Sequence, residues 1–184
     1  MIKNILKNAF EHKNLIGITT KDIEWDQSII GYITNYDDTS ISINELDEFG
    51  FLIGNVTYII DDILCIQIDD WYMQNLQTIH ENKSMFNPNL SITIWKTGKE
   101  LLIYFKIIKE NEKITRFFFA DDNFVIGIIL DFDNEFILIK NIGQNGIEEG
   151  ISCYRINDII GLKYDGLSEQ KIKLLYEMNN NTKK

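Results

Sequence analysis

Residues 30–81 of this 184-residue chain lie on residues 126–177 at a constant offset of 96 with no gap. The identities are spread over residue types with different structural duties. Glycines coincide (Gly31/Gly127, Gly50/Gly146, Gly54/Gly150), as do aspartates (Asp37/Asp133, Asp62/Asp158, Asp69/Asp165), isoleucines (Ile41/Ile137, Ile43/Ile139) and Tyr58/Tyr154. A fixed internal period of this kind constrains the fold more than any local propensity, because each period must be one structural unit. Upstream, the same offset pairs Leu6 with Leu102 and Ile18 with Ile114. The reading is a tandem duplication: a first repeat over 1–81, a linker over 82–94 that holds the only proline, Pro88, a second repeat over 95–178, and a disordered polar tail over 179–184.

Within the first repeat, Ile2, Ile5, Leu6, Ala9 and Phe10 recur at helical spacing and predict an amphipathic helix. Its counterpart over 99–109 is apolar all round, so a helix and a hairpin strand both remain open there. Short runs rich in isoleucine and aromatics follow, bounded by Asp, Asn and Gly, and predict about five short strands. A short helix closes each repeat, Trp71–Glu81 and 167–177, with Ser168 as a candidate N-cap. The class is mainly β with flanking helices (α+β), and so few bent strands hide their edges most simply by closing into a small barrel.

Gly31 with Asp37 six residues later, then Ile63 and Ile66, resembles the two motifs of the Sm-like family within the SH3-like small barrels. Gly127, Asp133, Ile159 and Leu162 repeat the pattern. The resemblance implies two tandem Sm-like barrels. It also implies binding of single-stranded RNA in rings, but the positions that would carry this have changed. The family's asparagine falls on Ile41 and Ile137, and its Arg-Gly pair falls on Ile59-Ile60 and Arg155-Ile156.

Charge separates the repeats and argues against nucleic acid. The chain carries a net charge of -10, and residues 1–81 hold four lysines against fourteen acidic residues. Residues 95–184 hold thirteen basic residues against fourteen acidic ones. Phosphate binding is driven by cations, so the first repeat repels it. Six acidic residues of the first repeat meet neutral residues in the second: Asp38, Glu45, Asp47, Glu48, Asp61 and Asp70. They are read as dispensable for the common fold and as the partner-binding residues for a basic protein. The expectation is a non-enzymatic, protein-binding module, by analogy an immunity or antitoxin-like protein, with an Sm-like nucleic-acid binder as the alternative.

No residue pattern supplies catalysis. Asp37, Asp133, Asp62 and Asp158 sit where turns are predicted and are read as caps. Asp131, Asp133 and Glu135 resemble the start of a calcium loop but lack its turn glycine and closing glutamate. His12 and His80 have no nucleophile placed beside them, and no metal or cofactor is expected. Cys65 and Cys153 are read as buried thiols, and Trp25, Trp71 and Trp95 as core residues. No run approaches the ~20 apolar residues of a membrane span, and a cytoplasmic location is expected.

Overall fold

In the computed structural model, residues 1–22 and 27–181 are described. They divide into two compact units, Met1–Lys83 and Ser84–Lys184. The class is α+β, with one antiparallel sheet in each unit.

The first unit runs α1 (Ile2–His12), β1 (Leu15–Thr20), β2 (Ile29–Tyr36), β3 (Ser40–Leu46), β4 (Leu52–Ile59), β5 (Ile63–Ile68) and α2 (Trp71–Glu81). Its sheet order is β4-β3-β2-β1-β5. Strand β1 is buried along its whole length, because it has a helix on each side. Ile16 and Ile18 join Leu6 and Ala9 of α1 in one core with Ile33, Ile41, Ile43, Ile60 and Ile63. Leu15 joins Leu46 with Met73 and Leu76 of α2 in the other. Alternation along β1 thus sends successive side chains to opposite helices.

The second unit begins with β6 (Ile92–Ile94), followed by α3 (Leu102–Glu110), β7 (Thr115–Phe118), β8 (Phe124–Phe132), β9 (Phe136–Ile142), β10 (Glu148–Arg155), β11 (Gly161–Tyr164) and α4 (Leu167–Asn181). The sheet order is β10-β9-β8-β7-β11-β6. Residues 102–110 resolve as helix, with Phe105 and Ile108 fully buried against Phe117, Ile137, Ile139 and Ile156.

From β2 and β8 onward the 96-residue offset holds in three dimensions. Gly31 lies opposite Glu45, and Gly127 lies opposite Asn141. A Cβ on Gly31 would sit 2.3 Å from the Asn44 carbonyl oxygen, and one on Gly127 would sit 2.1 Å from that of Lys140. Both are places where two strands approach too closely for any side chain. Gly50 and Gly146 share φ 74°, and each presses against the backbone of its closing helix, at His80 and at Leu175–Tyr176.

Upstream the offset changes. Ile16 faces Gly31 as Thr115 faces Gly127, and Ile18 faces Ile66 as Phe117 faces Leu162. The equivalence there is 99, so Leu6 corresponds to Phe105 and Ala9 to Ile108, rather than to Leu102 and Phe105 as an offset of 96 would have it. Residues 21–28 join β1 to β2, whereas the shorter loop 119–123 joins β7 to β8. The difference in length between these two connections accounts for the change of offset from 99 to 96.

Four further expectations are corrected. The sheets are not closed barrels, since among the described strands β4 pairs only with β3 and β5 only with β1. The turn Ile60–Asp62 sends β5 across to β1, and α1 covers the apolar face that closure would otherwise hide. Residues 84–94, expected as linker, lie in the second unit, where β6 pairs antiparallel with β11. Residues 179–181, expected to fray, complete α4, and the Asn179 side chain donates to the Asn145 carbonyl. Ser168 falls inside the first turn of α4, which begins at Leu167.

Two of the four turn aspartates, Asp37 and Asp133, cap backbone, whereas the Asp62 carboxylate is held by Lys21 instead. Asp37 Oδ1 accepts the N–H groups of Thr39 (2.7 Å) and Ser40 (2.8 Å), and Asp133 Oδ1 accepts those of Glu135 and Phe136, both at 2.7 Å. The Thr39 N–H and hydroxyl, then those of Ser40, hold the Asp37 carboxyl down at about 2. A carboxyl depressed in the folded state stabilises above its ordinary value near ~4 and loses that contribution as the pH falls toward 2. Melting temperatures of Asp37→Ala should therefore lie below wild type at about pH 5, with the gap narrowing toward about pH 2. A gap that stays constant over that range would contradict this assignment.

Candidate functional site

The six acidic residues singled out by sequence do not form one surface. Asp38 is ion-paired with Lys3 at 2.5 Å. Glu45 accepts the Tyr58 hydroxyl, and burial followed by this hydrogen bond raises the Tyr58 phenol far above its ordinary value. Asp61 sits on the turn between β4 and β5, where Lys21 binds its carbonyl oxygen at 2.8 Å and the Asp62 carboxylate at 2.8 Å.

The other three converge. Asp47 and Glu48 belong to the turn between β3 and β4, and Asp70 is the N-cap of α2. Partial burial pushes the Tyr72 phenol up, and the charges of Glu48, Asp70 and Asp47 push it further. Tyr72 stands edge-on to Trp71, with ring centroids 6.2 Å apart and planes at 87°. Trp71 is 62% exposed and Tyr72 43% exposed. The first turn of α2 thus presents two aromatic rings to solvent, and the charges of all three carboxylates reach Tyr72.

Two of these carboxylates also hold the backbone, which corrects their reading as dispensable. Asp47 Oδ1 accepts the N–H groups of Phe49 and Phe51, each at 2.9 Å, and Asp70 Oδ1 accepts that of Met73 at 2.7 Å. The second unit meets the first need differently, with Asn145 accepting the Ile147 N–H at 3.1 Å. A local capping duty moved by two positions is invisible to a position-by-position alignment.

The aromatic half of the site is a second correction, because the sequence reading places Trp71 and Trp95 in the core. Both are exposed, at 62% and 65%. Trp95 lies against Gly161 and 4.9 Å from the Phe118 ring. Trp25 lies outside the described residues. The signal available for Trp71 is the helical spacing of Met73, Leu76 and Ile79, which places Trp71 off the buried stripe of α2.

Other sequence candidates are structural. His80 Nδ1 lies 2.6 Å from the Gly50 carbonyl oxygen, and His12 Nδ1 lies 2.9 Å from that of Asn8. Asp131 is bound by Lys109 at 2.7 Å. The thiols are free but not buried as expected: Cys65 is half-buried, and Cys153 is exposed on the outer strand β10. Among the described residues no cluster of three His, Cys, Asp or Glu side chains could hold a metal ion. Arg155 is exposed and lies over the Phe136 ring at 5.1 Å. No described helix is long and apolar enough to cross a membrane.

A cleft of about 590 Å³ opens in the first unit between α1 and α2, at the ends of β1 and β5. Asn4, Asn8, Gln74 and Gln77 line it with carboxamides, and Ile68 and Met73 form part of its apolar wall.

Compared with known proteins, the chain matches no protein-family model and no curated protein.

Proposed function

We propose that the chain is a non-enzymatic protein-binding module whose first unit engages a basic partner protein through Trp71 and Tyr72 and the carboxylates of Asp47, Glu48 and Asp70. The observation that carries the reading is the exposed Trp71–Tyr72 pair, with Asp70 capping the same helix turn and the charges of Asp47 and Glu48 acting on Tyr72. Exposed Trp and Tyr are the residues that most often anchor an interface, and their faces attract lysine and arginine. Carboxylates beside them add attraction for the same groups and speed association. An immunity or antitoxin-like role is the most concrete form of this reading. The two free cysteines support a reducing compartment such as the cytoplasm.

Neutralisation tests the site without removing its caps, because Asn replaces Asp at an N-cap with little loss. A triple variant Asp47→Asn, Glu48→Gln, Asp70→Asn should keep its melting temperature. It should associate with a basic partner captured by the wild type about tenfold more slowly at low salt, and the salt dependence should flatten. Trp71→Ala should raise the dissociation rate. Unchanged association and dissociation in both variants would overturn the reading.

A further inference from the structure

In the second unit the outer edge of β11 is occupied. Ile92, Thr93 and Ile94 of β6 pair with Tyr164, Lys163 and Leu162. Just ahead of the strand, Gln170 of α4 holds the main chain of Asn87 on both sides. Its Oε1 accepts the Asn87 N–H and its Nε2 donates to the Asn87 carbonyl, each at 2.8 Å.

The first unit has the same receptor without the strand. Strand β5 is the counterpart of β11, with Ile66, Gln67 and Ile68 in the places of Leu162, Lys163 and Tyr164, and no described strand pairs with its outer edge. Leu64 and Ile68 are 48% and 55% exposed. Gln74 stands where Gln170 does, its Nε2 donating to Asp69 Oδ1 at 3.0 Å and to the Asp69 carbonyl at 3.4 Å, where that of Gln170 donates to the Asp165 carbonyl at 2.7 Å. Ile68 and Gln74 both face the open cleft. An unpaired edge of main-chain donors and acceptors with apolar side chains is a template for one more strand.

We propose that β5 receives an extended segment of a partner protein, added antiparallel as β6 is added to β11, with Gln74 gripping its main chain. This rests on the reading of the first unit as the partner-binding half. The occupant is apolar, strand-forming and flanked by lysine or arginine. Asp61 and Asp62 stand before β5 and Asp69 and Asp70 after it, whereas the second unit has Asn157, Asp158, Asp165 and Gly166 in these places. Cys65 replaces Gly161, which makes room for Trp95, so the segment carries no large aromatic at that point.

The chain's own residues 83–96, KSMFNPNLSITIWK, supply a probe with a lysine at each end and no acidic residue. With Trp95 changed to Ala and a dye at its N-terminus, this peptide should bind the full chain in an anisotropy titration and protect the amides of Leu64–Ile68 from exchange. Gln74→Ala should weaken binding about fivefold, the effect of one or two hydrogen bonds. Ile68→Lys, at an exposed position, should abolish it. Binding that ignores both variants, that protects only β11, or that is absent altogether would overturn the proposal. So would a chain that dimerises through this edge, since its occupant would then be a second copy. The Trp71 face is untouched by these variants, so loss of peptide binding with partner capture intact sinks the β5 proposal alone.

Discussion

Gly127→Ala should unfold the second unit near room temperature or shift its melting by roughly 12–24 °C, the equivalent of about 3 kcal/mol for a domain of this size. The added Cβ would lie 2.1 Å from the Lys140 carbonyl oxygen and 2.6 Å from Ile139 Cγ2. The first of these is backbone in the neighbouring strand, and no rotamer change relieves it. Because the clash lies at the centre of the sheet, β8 and β9 would have to separate for it to be accommodated. Gly31→Ala should act alike in the first unit, where the same Cβ meets the Asn44 carbonyl at 2.3 Å. Gly54→Ala is the control, because a Cβ there meets nothing within 4 Å. Thermal unfolding followed by circular dichroism separates the cases, and a Gly127→Ala protein that melts like Gly54→Ala would refute the close approach.

Arg116→Ala should destabilise the second unit by about 3 kcal/mol, more than Glu169→Met does. The Glu169 side chain is 1% exposed, and Arg116 Nε lies 3.2 Å from its Oε1. The N–H is not directed along that line, and neither carboxylate oxygen accepts a hydrogen bond. The attraction is therefore Coulombic, and removing Arg116 takes from the buried carboxylate its ion-pair partner. Arg116 is itself 22% exposed and lies over the Phe124 ring at 4.6 Å, so losing Glu169 leaves it able to reach water. The first unit has Gly17 and Met73 in these places, so the common fold does not need the pair. Arg116→Ala combined with Glu169→Met should accordingly recover most of the stability lost in Arg116→Ala. Additive losses in the double variant would show that the two side chains act independently.

The strands from β2 and β8 onward and their paired glycines are legible because they recur at one spacing, whereas β6, which falls in the expected linker and has no counterpart among the described strands, is not. Gly31 and Gly127 are expected at equivalent places in equivalent strands, and both lie at the same cross-strand approach. The N-terminal halves misalign because the offset there is 99. Helix residues such as Leu6 and Leu102 match by chance, while the true partners Leu6 and Phe105 differ in type. Volume can move between facing positions of a core as long as the total is kept, so identity is a weak guide to equivalence there. The open sheets are illegible for another reason. Closure follows from the need to bury apolar faces, and α1 and α3 meet that need instead. At the candidate site, charge is readable and geometry is not. The acids can be counted, but only the fold shows that Asp47, Glu48 and Asp70 share Tyr72 as a neighbour.

Strand β4 has a bearing on how copies of this chain behave in a crowded solution. It is exposed along nearly its whole length, it lies at the sheet margin, and Leu52, Ile53, Val56 and Ile59 are all exposed. It contains no lysine, proline or charged residue to discourage a second strand, whereas β10 carries Glu148, Glu149 and Arg155. Long-range repulsion between first units opposes the pairing of two such margins, and its reach is about 8 Å at physiological salt. That repulsion fades as the medium approaches the isoelectric point near 4.7. The colloidal behaviour of the chain is thus set by the same carboxylates that would draw in a cationic protein, and occupying them with such a protein would remove the barrier to self-association.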